Sequence, residues 1–299
     1  MKALFAKTTT GFNRIQHFIS LLLVFSNLLL VFTAYSAVQK VITIPSIAMH
    51  KELKATIIIP DSYSRSQNHY SVIYLLHGFG GDHTVWPRIA PLERYSDSLA
   101  LIFVCPDGAD SWYIDSPVKN NSLFETYIIH EVIPFIDFSY RTWAVPGGRA
   151  LIGLSMGGHG AISLLAKHPD LFVGACSISG IMDLTEFPFN WELPRILGPF
   201  AQNQQRWIHY SCISQIDTLK NGSKFIVLDC GLEDFAWKGN QKEHLLMEKA
   251  GIPHSFYSHH GIHDWPYVKM VAAGHFFAFS KRLQPATIED GIINVLHNH

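Results

Sequence analysis

The chain has 299 residues, of which 48% are hydrophobic and only 16% are charged, and its formal net charge is -1. This composition is typical of a globular protein with a large core and excludes a disordered chain. The near-neutral charge and the lack of a basic block argue against nucleic acid as a partner. The four cysteines form no C-x-x-C pair, so a zinc cluster is not indicated, and the sequence leaves their disulfide state open.

The N-terminal segment, residues 1–36, has the pattern of a signal peptide. Basic residues precede an uncharged apolar run over residues 18–32, and small residues follow at Ala34 and Ser36. We expect cleavage before Ala37. The alternative is an uncleaved membrane anchor, because the run is nearly long enough to span a bilayer. Either reading predicts an exported protein, periplasmic or secreted, with membrane contact only if the segment is retained.

Apolar strand patterns alternate with helical patterns along the rest of the chain. The predicted strands are 41–44, 55–59, 71–76, 101–105, 150–154, 173–178, 224–228 and 255–258. The predicted helices are one opened by a capping box at 122–125, then 161–167, 240–250 and 267–283. This alternation predicts an α/β fold with a doubly wound, mainly parallel sheet. We expect a single catalytic domain over 38–283 and a weakly patterned tail over 284–299.

The strongest motif is G-x-S-x-G at Gly153, Ser155 and Gly157. A buried strand pattern precedes it and a helical pattern follows it, which is the context of a nucleophile elbow. The glycines fit because side chains there would collide with the adjacent strand and helix. By itself the motif could also be a purely structural turn, so a base, an acid and an oxyanion hole are required elsewhere.

The base is expected to be a histidine in a loop after the last strand, because the elbow fold places the residues in the order Ser, acid, His. His263 fits best, and His259 and His260, which lie nearer the strand, are the alternatives. These three histidines could also suggest a metal site, but no carboxylate-rich partner motif accompanies them. The sequence therefore favours His263 as a base and predicts no metal.

The acid should follow a strand between the nucleophile and the base. Asp234 lies in the loop after the 224–228 strand and is our choice. Asp229, at the end of that strand, and Asp183, after the preceding strand, are the alternatives. An aspartate after a strand is often only a turn former, so spacing alone does not decide among them.

An oxyanion hole needs two backbone N–H groups that point at one position. Met156, the residue after the nucleophile, supplies one of them. The second should come from the glycine-rich loop 77–81 after the 71–76 strand, and we choose Phe79. Both loops occur in the order that the elbow fold requires, which favours a catalytic interpretation over a structural turn.

Six motifs resemble the esterase D and S-formylglutathione hydrolase-like esterases, which include feruloyl and acetylxylan esterases and the antigen 85 acyltransferases. They are 74–78, 112–116, 131–137, 149–160, the pair Gly231 and Asp234, and 261–265. The resemblance covers roughly residues 40–283 and implies an α/β-hydrolase fold. Residue by residue, it implies Ser155 as nucleophile, Asp234 as acid and His263 as base, with Phe79 and Met156 as oxyanion donors. It is most similar to the exported bacterial branch.

The resemblance implies a serine carboxylesterase that cuts short-acyl esters, such as acetyl or feruloyl esters of carbohydrates, without a metal or organic cofactor. The alternatives with the same triad are an acyltransferase and an S-formylglutathione hydrolase-type thioesterase. A serine peptidase and a catalytically inactive binding module are the remaining alternatives. We expect His77, Trp112, Tyr113 and Trp191 to bind substrate, while the oligomeric state stays open.

Residues 181–219 interrupt the strand and helix pattern with many aromatic residues and three prolines. The segment begins at the carboxyl edge of the sheet, where sites in such sheets lie. We therefore expect it to fold over the mouth of the Ser155 site as a short cap. The alternative is that Trp191 and Trp207 only fill the domain surface.

Overall fold

The computed structural model describes residues 36–220 and 223–283. Within these residues, eight strands form one sheet: β1 (Val38–Ser46), β2 (Lys51–Ile59), β3 (Ser71–Leu76), β4 (Leu101–Pro106), β5 (Arg149–Leu154), β6 (Gly174–Ile178), β7 (Phe225–Gly231) and β8 (Ser255–His259). The α-helices are α1 (Ser62–Arg65), α2 (Val85–Ile89), α3 (Leu92–Leu99), α4 (Phe124–Thr126), α5 (Ile133–Ser139), α6 (Met156–Lys167), α7 (Leu193–Leu197), α8 (Phe200–Tyr210), α9 (Trp237–Ala250) and α10 (Trp265–Ser280). A π-helical segment, Tyr127–Val132, joins α4 to α5.

The sheet has the strand order β1-β2-β4-β3-β5-β6-β7-β8. Strands β1 and β2 pair antiparallel, and β2 is antiparallel to β4, whereas the strands from β4 to β8 run parallel. The predicted α/β class with a mainly parallel sheet is therefore confirmed. Because parallel strands end at the same edge, the loops after β3, β5, β7 and β8 meet there.

Alternate residues of the central strands enter two separate cores, one on each face of the sheet. In β3, Val72, Tyr74 and Leu76 belong to one core, while Ile73 and Leu75 belong to the other. Every residue of β3 is buried, because helices cover both faces. This double coverage explains why the strand is continuously apolar in sequence instead of alternating.

The helix after β4 differs from the prediction at its start. The expected capping box at 122–125 does not form, since Leu123 precedes the first helical residue and no side chain caps the N-terminus. Glu125 instead accepts hydrogen bonds from Lys167, the last residue of the elbow helix, and from His168, which follows it. These two residues bind the carboxylate in place of the local backbone, which is a tertiary contact that the local sequence pattern does not contain.

The insertion 181–219 forms 3₁₀ turns and the short helices α7 and α8. Trp207 of α8 is fully buried, and its indole N–H donates to the carbonyl of Gly198 at 2.9 Å. Leu193 and Leu197 of α7 are buried in the same core. Much of this insertion is therefore anchored in the protein interior, where Trp207 lies in the core and not on the domain surface.

Two predicted segments, the signal peptide or anchor at 1–36 and the tail at 284–299, lie outside the described residues except for Ser36. Among the helices that the structure describes, none combines the length and the apolar character needed to cross a membrane. All four cysteines are buried free thiols, which answers the question of disulfides that the sequence left open.

A sharp turn at Ser155 joins β5 directly to α6. Ser155 has φ 55° and ψ -118°, a strained conformation for a residue with a side chain. A Cβ atom on Gly153 would overlap the backbone of Gly157, and a Cβ atom on Gly157 would overlap the carbonyls of Leu76 and His77. Only glycine permits this close approach of strand and helix, so the turn is held by backbone packing.

The buried face of α9 contains a carboxylate without a partner. Glu243 lies on this face with Asn240 and Met247, and neither carboxylate oxygen has a hydrogen-bond partner within 36–220 and 223–283. Burial and, secondly, the charge of Asp183 raise the pKa of Glu243 from 4.5 to about 8, against an opposing effect of Lys242. Glu243 is therefore largely protonated at neutral pH.

This raised pKa predicts a pH-dependent stability. The unfolded chain releases the Glu243 proton near pH 4.5 and the folded chain near pH 8, so the free energy of unfolding should fall as the pH rises between these values. Glu243→Gln should remove most of this slope and stabilise the protein at pH 9 by roughly 5 kcal/mol. Urea denaturation at pH values from 5 to 9 measures the change in the free energy of unfolding with pH. Glu248→Gln, an exposed change on the same helix, should keep the slope; an unchanged slope in Glu243→Gln would disprove the assignment.

Glycine substitutions test the packing at the turn. Gly153→Ala should lower the free energy of unfolding by about 3 kcal/mol, because backbone atoms occupy the space of the new methyl group. Gly274 of α10 is exposed and has open space around it, so Gly274→Ala should instead raise it by about 0.5–1 kcal/mol. Equal effects of the two changes in urea denaturation would contradict the packing account.

Candidate active site

Three side chains from three different loops form a continuous hydrogen-bonded chain at the carboxyl edge of the sheet. The Nε2 atom of His263 lies 2.9 Å from the Oγ atom of Ser155. The Nδ1 atom of His263 lies 3.0 Å and 2.9 Å from the two carboxylate oxygens of Asp234. A carboxylate can only accept, so Nδ1 carries the proton and Nε2 is left to accept the Ser155 hydroxyl proton.

Asp234 is held in place by its own loop. Its side chain is fully buried, and Oδ1 also accepts a hydrogen bond from the N–H of Ala236 at 2.8 Å. The side chain of His263 keeps 23% exposure, so its ring faces the open side of the site. In this geometry, Asp234 can orient the imidazole ring of His263 and stabilise a positive charge on it.

The two predicted oxyanion donors are Phe79, in the loop after β3, and Met156, which directly follows Ser155. Met156 is the first residue of α6, so its N–H belongs to the helix terminus that has no intrahelical acceptor. The N–H of Phe79 has no hydrogen-bond partner in the part of the chain that the structure describes. Phe79 belongs to a turn closed by Gly81, whose N–H donates to the carbonyl of Gly78 at 3.1 Å. The N–H of Met156 thus lies at the start of the helix that follows Ser155, and Phe79 lines the same pocket as Ser155.

A pocket of about 280 Å³ opens at Ser155. Gly78 and Phe79 border it on the oxyanion side, while His263 and Trp265 border it on the other. The strand ends and α10 supply apolar walls, namely Leu154, Ile178 and Val268. A space of this size with apolar walls is suited to a small acyl group.

His77 does not line this pocket, so its expected role in substrate binding is corrected. The side chain is 1% exposed. Its Nδ1 atom donates to the carbonyl of Gly78 at 2.8 Å, and its Nε2 atom accepts from the N–H of Gly108 at 2.8 Å. These two bonds tie the loop that carries Phe79 to the loop after β4, so His77 supports the oxyanion side of the site from below.

Trp112 and Tyr113 are also buried, each with 1% exposure, which corrects their expected contact with substrate. The Tyr113 hydroxyl donates to the carbonyl of His77 at 3.2 Å, and its ring packs against Gly160 of the elbow helix. The indole N–H of Trp112 donates to the carbonyl of Trp191 at 3.1 Å. Both residues therefore connect loops beneath the site.

The insertion reaches the site through aromatic rings. Trp191 is partly exposed and stacks on Phe235, with ring centroids 5.6 Å apart. Phe235 in turn lies 4.3 Å from the ring of His263. Residues 181–219 thus flank the histidine and do not line the Ser155 pocket, in contrast to the expected cap over its mouth. Sequence reasoning missed Phe235, although it directly follows Asp234.

The two alternative acids, Asp183 and Asp229, bind residues other than His263. Asp183 accepts from the backbone and hydroxyl of Thr185, and its Oδ2 atom pairs with Lys242 at 2.6 Å. Asp229 accepts from the Tyr267 hydroxyl at 2.5 Å and pairs with His275 at 2.7 Å. Neither aspartate contacts His263, which leaves Asp234 as its carboxylate partner.

The Asp229 network lies directly behind the histidine loop. Burial alone would lower the pKa of His275, but Cys176 and the Asp229 carboxylate raise it to about 10, so a buried ion pair forms. The ring of Tyr267 packs against Gly261, two residues before His263. Asp229 therefore fixes Tyr267, and Tyr267 supports the loop that presents the histidine.

The alternative histidines have other surroundings. His260 is exposed, and its Nδ1 atom lies 2.8 Å from Glu233. His259 is the last residue of β8, and its carbonyl accepts from the N–H of Leu232. Among the predicted bases, the structure brings only His263 to Ser155 within the described residues.

Comparison with known proteins shows the family to which the chain belongs. A model of the Esterase family matches residues 46–274. Esterase Rv1288 of Mycobacterium tuberculosis is 28% identical over 236 residues, which cover 69% of this chain and 51% of that protein. An acetyl esterase of Caldicellulosiruptor saccharolyticus is 25% identical over 225 residues, covering 70% of this chain and 83% of that protein. The chain thus spans about half the length of the first of these relatives.

A solved structure agrees with the sequence comparison. A ferulic acid esterase superposes with a TM-score of 0.73 at 25% sequence identity, covering 84% of this chain and 100% of that one. With its family match over most of the described residues and its sheet of this architecture, the chain belongs to the esterase family and has the α/β-hydrolase fold.

Proposed function

We propose that this protein is a serine carboxylesterase that hydrolyses short-acyl esters through an acyl-enzyme. One observation carries the proposal: the hydrogen-bonded chain from Ser155 through His263 to Asp234. A nucleophile, a base, an orienting acid and an oxyanion site are the parts that acyl transfer requires.

In the first step, Ser155 Oγ forms a bond to the ester carbonyl carbon while His263 Nε2 takes the hydroxyl proton. The carbonyl π electrons move to its oxygen, which the N–H groups of Phe79 and Met156 stabilise as an oxyanion. Asp234 stabilises the imidazolium that forms. Collapse of the oxyanion breaks the bond to the alcohol, and His263 returns its proton to the departing oxygen.

In the second step, water takes the place of the alcohol. His263 removes a proton from the water as its oxygen attacks the acyl carbon. The second oxyanion collapses, the bond to Ser155 Oγ breaks and the serine recovers its proton. The free acid leaves, and the reaction balances without a cofactor.

The proposed substrate is a small ester, including esters of carbohydrates. The volume of about 280 Å³ and the apolar walls at Ser155 support a short acyl group. The names of two similar proteins, an acetyl esterase and a ferulic acid esterase, support the same substrate class.

Substitution of the nucleophile gives the first test. Ser155→Ala should reduce kcat on 4-nitrophenyl acetate by on the order of a million-fold, because the covalent step is lost. The loss of one hydroxyl should leave the free energy of unfolding nearly unchanged. Stopped-flow or spectrophotometric assays with circular dichroism measure both quantities. Activity within tenfold of the parent would show that another residue is the nucleophile.

Substitution of the acid gives the second test. Asp234→Asn should lower kcat by about ten thousand-fold, because an amide that donates to Nδ1 stabilises the wrong tautomer of His263. Asp183→Asn is the matched control, since Asp183 bonds Thr185 and Lys242 away from the histidine, and it should change kcat by less than about threefold. The reverse ranking of the two variants would refute the assignment.

The pocket wall gives a third test through substrate size. Acetyl to butyryl esters should have kcat/KM at least about tenfold above decanoyl esters, because the pocket cannot hold a long chain. Val268→Ala should shift the preference towards longer chains by enlarging this wall. Val271→Ala, one turn further along α10 and outside the pocket lining, should not. A parent preference for chains of about ten carbons would contradict the short-acyl proposal.

A further inference from the structure

An open groove lies beside the Ser155 pocket, between α2 and the first turns of α10. Its volume is about 610 Å³, and it is lined by Val85, Arg88, Ile89, Trp265, Pro266 and Lys269. Its floor is apolar, and both of its charged lining residues are cations. A groove of this kind favours a ligand that combines an apolar or carbon-rich body with a negative charge.

Trp265 connects the groove to the active site. Its side chain lines both the groove and the Ser155 pocket, and it follows His263 by only two residues. Trp265 is 55% exposed, although large aromatic side chains are usually well buried. A substrate that extends out of the pocket on the His263 side therefore crosses the face or edge of this indole.

The two cations are available to a ligand. Arg88 and Lys269 are exposed, and neither forms an ion pair within residues 36–220 and 223–283. The carboxylate of Asp82, on the preceding loop, accepts its hydrogen bonds from Thr84. The hydrogen bond from the Thr84 hydroxyl is the main cause of the lowered pKa of Asp82, and the charge of Arg88 contributes the least.

A second groove on the opposite side of the site has a different character. It measures about 470 Å³, shares Phe79 with the Ser155 pocket and carries charges of both signs. Both of its acidic side chains have partners: Glu192 pairs with Arg195 at 2.8 Å, and Asp110 accepts from the N–H of Gly80 at 2.6 Å. None of the three residues of the catalytic chain lines it.

The proposed reaction indicates which half of the ester lies in the groove lined by Arg88 and Lys269. The departing oxygen must lie within hydrogen-bonding reach of His263 Nε2 to receive its proton. The alcohol also leaves while the acyl group is still bonded to Ser155, so it needs an open path to solvent. The groove past Trp265 is open and shares Trp265 with the Ser155 pocket, which His263 also lines, whereas the smaller pocket at Ser155 with its apolar walls suits the acyl group.

We propose that Arg88 and Lys269 bind an anionic group on the alcohol part of the substrate, so that the preferred substrates are short-acyl esters of alcohols that carry a carboxylate, phosphate or sulfate. This assignment rests on the proposed esterase function and extends it to the substrate class. Trp265 supplies the apolar surface over which the alcohol lies, and the two cations fix its charged end.

The test compares an anionic alcohol ester with a neutral one of the same shape. The pair is 4-acetyloxybutanoate and 4-acetyloxybutanamide, with hydrolysis followed by proton release. The intact protein should show kcat/KM about fivefold or more higher for the anion, as expected for two solvent-exposed charge contacts. The ratio should fall to about one in the double variant Arg88→Gln/Lys269→Gln and with rising salt. Lys51→Gln, in the second groove, is the matched control and should keep the ratio.

Three results would overturn this assignment: a ratio of one or less in the parent, a ratio that the double variant does not change, or equal losses in Lys51→Gln. A further arm uses the ethyl monoester of glutaric acid, whose charge is on the acyl side, and its hydrolysis should not depend on Arg88 and Lys269. Dependence there would move the anionic site to the acyl group and contradict the proposal. Hydrolysis of neutral 4-nitrophenyl acetate reports separately on the esterase function.

Discussion

The close approach of helix α6 to the ends of β3 and β5 is the constraint on which the active site depends. Gly157 lies against the carbonyls of Leu76 and His77, and Gly153 lies against Gly157, with no room for a side chain at either glycine. This packing forces the backbone of Ser155 to positive φ and points its hydroxyl out of the sheet edge. It also sets the start of α6 beside the loop after β3. One contact therefore positions Ser155 together with Met156 and the loop that carries Phe79.

The histidine and the acid depend on a different kind of support. Hydrogen bonds from buried polar groups help to hold the loops that carry them. Asp234 uses the N–H of Ala236, and Asp229 uses Tyr267, whose ring packs on the histidine loop. On the oxyanion side, His77 binds two backbone groups in the same manner. A preorganised site of this type holds its donors and acceptors in place before the substrate arrives.

Much of this arrangement follows from the sequence, because backbone rules constrain it. The apolar runs predict the buried strands, and glycines at 153 and 157 predict the turn. Chain order and loop position favoured His263 and Asp234, and the resemblance to the esterase family implied the same two residues. The predictions that were wrong depend on tertiary contacts. Glu125 binds Lys167 and His168 and does not form the predicted capping box, and Trp112 is buried in the core and does not line the substrate pocket. Aromatic residues fit cores and sites equally well, so their composition does not distinguish the two.

The central claim is that Ser155 is chemically activated by His263. Its most direct test is covalent capture with diisopropyl fluorophosphate, followed by intact mass spectrometry and peptide mapping of the modified residue. The account predicts one adduct per chain, on Ser155, formed in seconds to minutes at neutral pH and at least about a thousandfold more slowly in His263→Ala. An adduct on another serine, or one whose rate does not depend on His263, would contradict it.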